Sequence, residues 1–210
     1  MGKNNPFGVI QEFEEAVANY AGAKYCVAVN SCTNALKLSL AWQKLYGDST
    51  VRDITIPNKT YVSVPIQILK AGFNLEFEDR DWSGIYRLFP TNIFDSARRF
   101  TYGMYISNSI MCTSHHWTKT LGIQHGGCIL HDDDAADIWF RKMRHDGRTD
   151  GAPITNETVT VLGEHCVMPP ENAAAGLVRL ASLPWHNEDL PNPVYPDLSE
   201  FDIFKPCLKV

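Results

Sequence analysis

Short apolar runs of strand length alternate with amphipathic helical patterns from near the start of the chain to about residue 180, and this alternation constrains the fold more than any other feature. Between residues 7 and 20 the apolar side chains Phe7, Ile10, Phe13, Val17 and Tyr20 recur every three or four places with acids between them, predicting a helix that stops near Gly22. "YCVAV" (25–29) then reads as a buried strand, "NSCTN" as a polar turn, and "ALKLSLAWQKLY" (35–46) as a helix closed by Gly47. Strands are expected at 53–57, 75–79, 91–97, 109–114 and 126–132, with helices at 62–72, 134–147 and 170–183. Parallel strands need crossover helices, so the pattern implies a three-layer α/β/α sandwich around a mostly parallel sheet. Residues 1–183 would form this domain. Residues 184–210 hold five of the twelve prolines and little periodicity, predicting an extended arm that packs on the domain or on a second subunit.

Bulk properties exclude several function classes. A net charge of −5 and the lack of a Lys/Arg cluster argue against a nucleic-acid surface. No apolar run approaches the ~18 residues of a membrane span, and the N-terminus lacks a signal-type apolar region, so a cytosolic protein is expected. The cysteines Cys26, Cys32, Cys112, Cys128, Cys166 and Cys207 are scattered in a chain too large to need disulfides, which predicts reduced, mostly buried thiols.

Ligands of open α/β sheets sit beyond the carboxyl ends of the strands, and there the sequence concentrates its polar groups. Asn30, Ser31, Cys32, Thr33 and Asn34 lie between a strand and a helix, where free N–H groups attract an anion such as a phosphate; a simple Ser/Thr helix cap gives the same pattern. Asp95 ends an apolar strand. Ser114 ends the next, and Lys119 follows in a loop closing on Gly122, where Trp117 and Leu121 could desolvate the amine and lower its pKa. Anion cradle, acid and amine together are what pyridoxal 5'-phosphate requires, and Tyr61 at the same edge could cover the ring. A zinc site built from Cys112, His115 or His116, His125 and Cys128 is the competing reading, weakened because both cysteines fall inside separate apolar strand patterns.

Between about residues 10 and 182 the chain resembles the DegT/DnrJ/EryC1/StrS aminotransferases, which act on nucleotide-linked keto-sugars. The likeness is carried by "FEEAVANYAGAKYCVAVNSCTNAL", "ITIPNKTYVSVPIQILKAG", "IFDSA", "TSHHWTKTLGIQHGGCIL", "KMRHDG" and "GEHCVMPPENAAAGLVRLASL", in the family's order. The resemblance implies the large domain of a fold type I pyridoxal-phosphate enzyme, with the small C-terminal domain largely missing. It also implies Lys119 as the amine that takes the cofactor's aldehyde and shuttles a proton, Asp95 on the pyridinium nitrogen, and Tyr61 stacked on the ring. Ser31, Cys32, Thr33 and Ser114 would surround the phosphate. Arg98 would stand near the phenolic oxygen, and His165 would reach the phosphate from a second subunit. His115 and His116, beside the lysine, either line the substrate pocket, contacting a sugar or phosphate, or simply pack. Glutamate or glutamine as amino donor, a keto-sugar acceptor and a homodimer with its site at the interface follow from the same likeness. The departures are Cys32 for the glycine of the phosphate loop, His165 for an asparagine, Val167 for an arginine, and a short segment before "TNIFDSA". A cofactor- or sugar-nucleotide-binding relic without turnover is the alternative they leave open.

Overall fold

The computed structural model describes Asn5 and residues 7–205; Cys207 lies outside the described residues. Helices are α1 (Phe7–Ala21), α2 (Cys32–Tyr46), α3 (Ser63–Lys70), α4 (Asp134–Met143) and α5 (Pro170–Leu180). Strands are β1 (Tyr25–Val29), β2 (Asp53–Pro57), β3 (Asn74–Glu78), β4 (Tyr86–Arg87), β5 (Ile93–Asp95), β6 (Ile110–Ser114) and β7 (Gly127–His131).

One sheet runs β1-β7-β6-β5-β4, and β2 pairs with β3 beside it. Thr55 and Phe89 exchange two backbone hydrogen bonds of 2.8 and 3.1 Å, which joins the two into one continuous surface. Most strands run in one direction, as the mostly parallel expectation has it, with β4 and β7 reversed. β5–β6 and β2–β3 are parallel, whereas β1–β7, β6–β7 and β4–β5 are antiparallel. The short stretch between β3 and β5 has no room for a crossover helix, so a hairpin turning at Phe89–Asn92 supplies β4 in the reverse sense.

Side chains alternate across the sheet with period two. Val27, Val29, Ile110, Cys112 and Ile129 face a core shared with α2, α3 and α4, while Cys26, Ala28, Met111, Cys128 and Leu130 face one shared with α1 and α5. These are the two outer layers of the sandwich. Gly176 lets α5 approach α1, because a Cβ there would lie 2.4 Å from the Phe13 ring. Two helices, α2 and α4, start where polar caps place them. α2 begins three residues before its apolar periodicity because Ser31 accepts a hydrogen bond from the Asn34 amide, and Asp133 caps α4 through the amides of Ala135 and Ala136. Cys26, Cys112, Cys128 and Cys166 are buried free thiols, and Cys32 is partly buried. Among the described residues no helix is long and apolar enough to cross a membrane.

β1 is an edge strand, and side chains occupy its outer edge. Glu14, 3% exposed, accepts the Ala28 amide at 2.7 Å, and Arg144 donates to both the Ala28 carbonyl and Glu14. Arg141 reaches Glu14 at 2.6 Å, and Asp150 holds the other end of Arg144 at 2.6 Å. Removing one member strands a buried charge. Arg144→Met should therefore lower unfolding free energy by about 3–5 kcal/mol, read as a lowered urea midpoint at unchanged slope. A change below ~1 kcal/mol would show that the cluster is not what holds the edge.

Candidate active site

A cavity of about 400 Å³ opens beyond the carboxyl ends of β1, β5 and β6. Ser31, Cys32, Thr33, Tyr61, Asp95, Arg98, Ser114, His116 and Lys119 line it, so most of the residues singled out in the sequence converge.

The floor is set by three local structures. At the first, β1 runs into Ser31 and the N-terminus of α2, whose first-turn N–H groups have no helical partners. Gly127 keeps β7 close beneath it, since a Cβ there would lie 2.5 Å from the Cys32 nitrogen. The Cys32 side chain, standing where the resembling family has glycine, turns down to donate to the Cys112 carbonyl at 3.5 Å. Thr33 Oγ1 lies 3.0 Å from Ser63 Oγ, adding a second hydroxyl pair.

At the second, Asp95 ends β5 and is 3% exposed. It accepts the Ala97 amide at 2.9 Å and the Tyr86 hydroxyl at 3.1 Å. Tyr86 in turn meets Thr60 Oγ1 at 2.6 Å. Burial pushes the Asp95 carboxyl up, against the Ala97 amide, the Tyr86 hydroxyl and the charges of Lys119 and Arg98. Burial, with the Asp95 charge, pushes the Tyr86 phenol far up, so Tyr86 stays a donor. The sequence did not point to Tyr86 or Thr60. Tyr86 stands in a two-residue strand, too short for any periodicity to reveal.

At the third, the loop between β6 and β7 is closed at its base by the His115 amide donating to the Gly126 carbonyl at 2.9 Å. A turn from the Lys119 amide to the His116 carbonyl, 2.8 Å, sets the lysine at the cavity. Burial holds the Lys119 amine below the ordinary lysine range, the Arg98 charge adds to this, and Asp95 and Cys32 oppose it. Leu121 is buried, but Trp117 is 67% exposed and turned to solvent, so the expected aromatic cover is absent and the cavity itself desolvates the amine.

Two expected positions fall elsewhere. The pleat that aims Ser114 and His116 at the cavity sends His115 through the sheet, where its ring meets Phe13 and Phe100 edge-on and Nε2 lies 3.3 Å from Cys128 Sγ. His115 is therefore a core residue and not part of the pocket. His165 lies outside this cavity, exposed and bonded through Nδ1 to Asp146 at 2.7 Å. His116 keeps its place beside His125, which the sequence offered only as a zinc ligand; burial, His125 and Lys119 hold its pKa down. The zinc quartet cannot assemble, because Cys112 and Cys128 face opposite cores. Among the described residues no group of three or more His, Cys, Asp or Glu side chains is placed to hold a metal.

Arg98 lines the cavity, yet its guanidinium is engaged. Nε donates to the Leu190 carbonyl at 3.2 Å and Nη2 to the Pro191 carbonyl. Residues past 184 thus run along the mouth and add Pro193 and Tyr195 to the lining, while Trp82 contributes from the segment before β4.

The family model for the DegT/DnrJ/EryC1/StrS aminotransferase family matches residues 6–84 and 104–189. The chain belongs to that family. The unmatched interval holds the β4–β5 hairpin with Asp95 and Arg98. No curated protein matches the chain. Among solved structures, AtS13 from Actinomadura melliaura superposes with a TM-score of 0.72 at 21% identity, over 83% of this chain and 60% of that one. A GDP-4-keto-6-deoxymannose-3-dehydratase variant with bound GDP-perosamine gives 0.68 at 15%, over 84% and 61%. The ntda protein from Bacillus subtilis, with bound cofactor pmp, gives 0.67 at 16%, over 83% and 48%. The chain spans about 60% of the length of the first of these structures and shares their fold.

Since Asp95 raises the Lys119 pKa, Asp95→Asn should shift the pH midpoint of Lys119 alkylation downward, followed by peptide mapping across a pH series. An unchanged or raised midpoint would mean that the two charges do not sense each other across the cavity.

Proposed function

We propose that the chain is a pyridoxal 5'-phosphate-dependent aminotransferase that moves an amino group from glutamate or glutamine to the keto group of a nucleotide-linked sugar. What carries this reading is the meeting, in one cavity, of the low-pKa amine of Lys119, the buried acid Asp95 and the N-terminus of α2. The cavity volume of about 400 Å³ suits a cofactor-sized ligand, and its donor set matches an anionic group at one end and a cationic ring nitrogen at the other.

When bound, this cofactor supplies an aldehyde that exchanges amino groups and a ring that withdraws electrons. Lys119 Nζ would hold the aldehyde carbon and move the proton at the substrate carbon. Asp95 would keep the ring nitrogen protonated; a cation there offsets the burial that now pushes the carboxyl up. Ser31, Thr33 and Ser114, with the first-turn amides of α2, would bind the phosphate. The Cys32 thiol, turned toward Cys112, leaves that approach open. Tyr61, exposed at the mouth, would cover the ring face, and His116 would stay neutral beside the substrate. A homodimer acting in the cytoplasm completes the proposal. The exposed His165 would then serve the site of a second subunit.

Adding pyridoxal 5'-phosphate to the purified protein should give an absorbance band near the visible edge that bleaches with glutamate. Lys119→Ala should lose the band and all turnover while still binding pyridoxamine 5'-phosphate. Full activity in Lys119→Ala would end the proposal, and a band that no amino donor bleaches would favour a cofactor-binding protein without turnover.

A further inference from the structure

A stretch of chain with almost no regular structure runs along one side of the cavity mouth. From Asp189 to Tyr195 it crosses the two segments that flank Asp95, and each crossing is pinned. Arg99 grips Asp189 through two hydrogen bonds of 2.7 and 2.6 Å. The Leu190 amide donates to the Arg98 carbonyl at 2.9 Å, and the Arg98 guanidinium returns to the carbonyls of Leu190 and Pro191. Asn192 Nδ2 donates to the Trp82 carbonyl at 2.7 Å. Beyond it the Tyr195 ring lies nearly parallel to Trp82 at 6.3 Å. Past Tyr195, Asp197 accepts from Asn58 Nδ2 at 2.8 Å, and the Leu198 amide bonds the Asn58 carbonyl at 2.9 Å.

A segment that only trailed over the surface would not spend a guanidinium on two main-chain carbonyls. Carbonyl groups leave the Arg98 charge unneutralised, so the cation still acts on Lys119 while its hydrogen bonds fix the chain. Pro193 beside Tyr195 stiffens the wall where it meets the cavity.

We propose that Asp189–Tyr195 is the wall that encloses the bound cofactor, with Arg98 as the positioning residue that holds it and Tyr195 as the side chain that touches the ligand. The inference rests on the cofactor reading above and extends it to residues that the family likeness does not assign. Arg98 thereby acquires a role other than contact with the phenolic oxygen.

Three readouts on the full chain test it. Hydrogen exchange over 184–198 reports docking, alkylation of Cys32 by peptide mapping reports access to the cavity, and calorimetry with pyridoxamine 5'-phosphate reports ligand contact. Arg98→Gln should speed exchange in the arm, speed Cys32 alkylation with Cys26, Cys112 and Cys128 still protected, and weaken binding about tenfold. Arg98→Lys should restore the pH midpoint of Lys119 alkylation, which Arg98→Gln raises, without restoring the docked arm, since lysine lacks the planar fork. Tyr195→Ala should leave exchange at Leu190 unchanged yet weaken binding. Faster exchange with unaltered Cys32 access, or wild-type affinity in Tyr195→Ala, would overturn the proposal. Should the wild type not bind pyridoxamine 5'-phosphate, the cofactor reading fails by itself and Cys32 access alone decides whether the arm is a wall.

Discussion

The free edge of β1 is where this fold is most exposed to failure, and a buried carboxylate holds it. An edge strand presents unpaired N–H and C=O groups that would otherwise recruit another chain. Here Glu14 takes the Ala28 amide, Arg144 takes the Ala28 carbonyl, Arg141 takes the Cys26 carbonyl, and the Cys166 carbonyl takes the Asn30 amide. Ion pairing alone would not repay taking these charges out of water. The backbone bonds make the difference, because they satisfy groups that would be buried in any case. Since β1 leads directly into Ser31 and the start of α2, an unheld edge would let the α2 N-terminus drift relative to Asp95 and Lys119.

None of that was legible in the sequence, where Glu14 reads as one acid among several on the polar side of a helix. A charge whose partners lie 14, 127 and 130 residues away leaves no local pattern. By contrast the elements themselves were readable, because burial imposes periodicity on consecutive residues. The strand leading into the polar turn at Asn30–Asn34, the paired helices α1 and α5, and the loop that carries Lys119 all fall where the apolar spacing put them. The misreadings arise where one residue decides. His115 and His116 are neighbours with the same chemistry, and only the pleat separates a core ring from a cavity ring. Counting on from Ser114 in steps of two reaches His116 and skips His115, which would have sorted them.

The β4–β5 hairpin shows how a short connection sets the direction of a strand beside the site. Two parallel strands need a dozen or more residues between them, and a hairpin needs only a few. The reversed β4 delivers Tyr86 directly opposite Asp95 in the register. The hydroxyl of Tyr86 then supports the carboxylate, so the reversal itself supplies a group that steadies the acid. The family match breaks at residues 85–103, the stretch that holds this hairpin.

Charge in the cavity is not balanced among its own side chains. Lys119 and Arg98 face one buried carboxylate, and the α2 N-terminus adds a further fraction of positive charge. Partial burial strengthens these interactions, so solvent relieves the excess less than it would on the surface. Part of the relief comes from Lys119, whose amine gives up its proton more readily than a free lysine. An anionic ligand at α2 would supply the remainder, since a phosphate brings negative charge to the end of the cavity that has none. On that ground the amine and the cradle are not independent features. Binding an anion at α2 would raise the Lys119 pKa again, and the Arg98 charge, kept in place by the arm, opposes that rise.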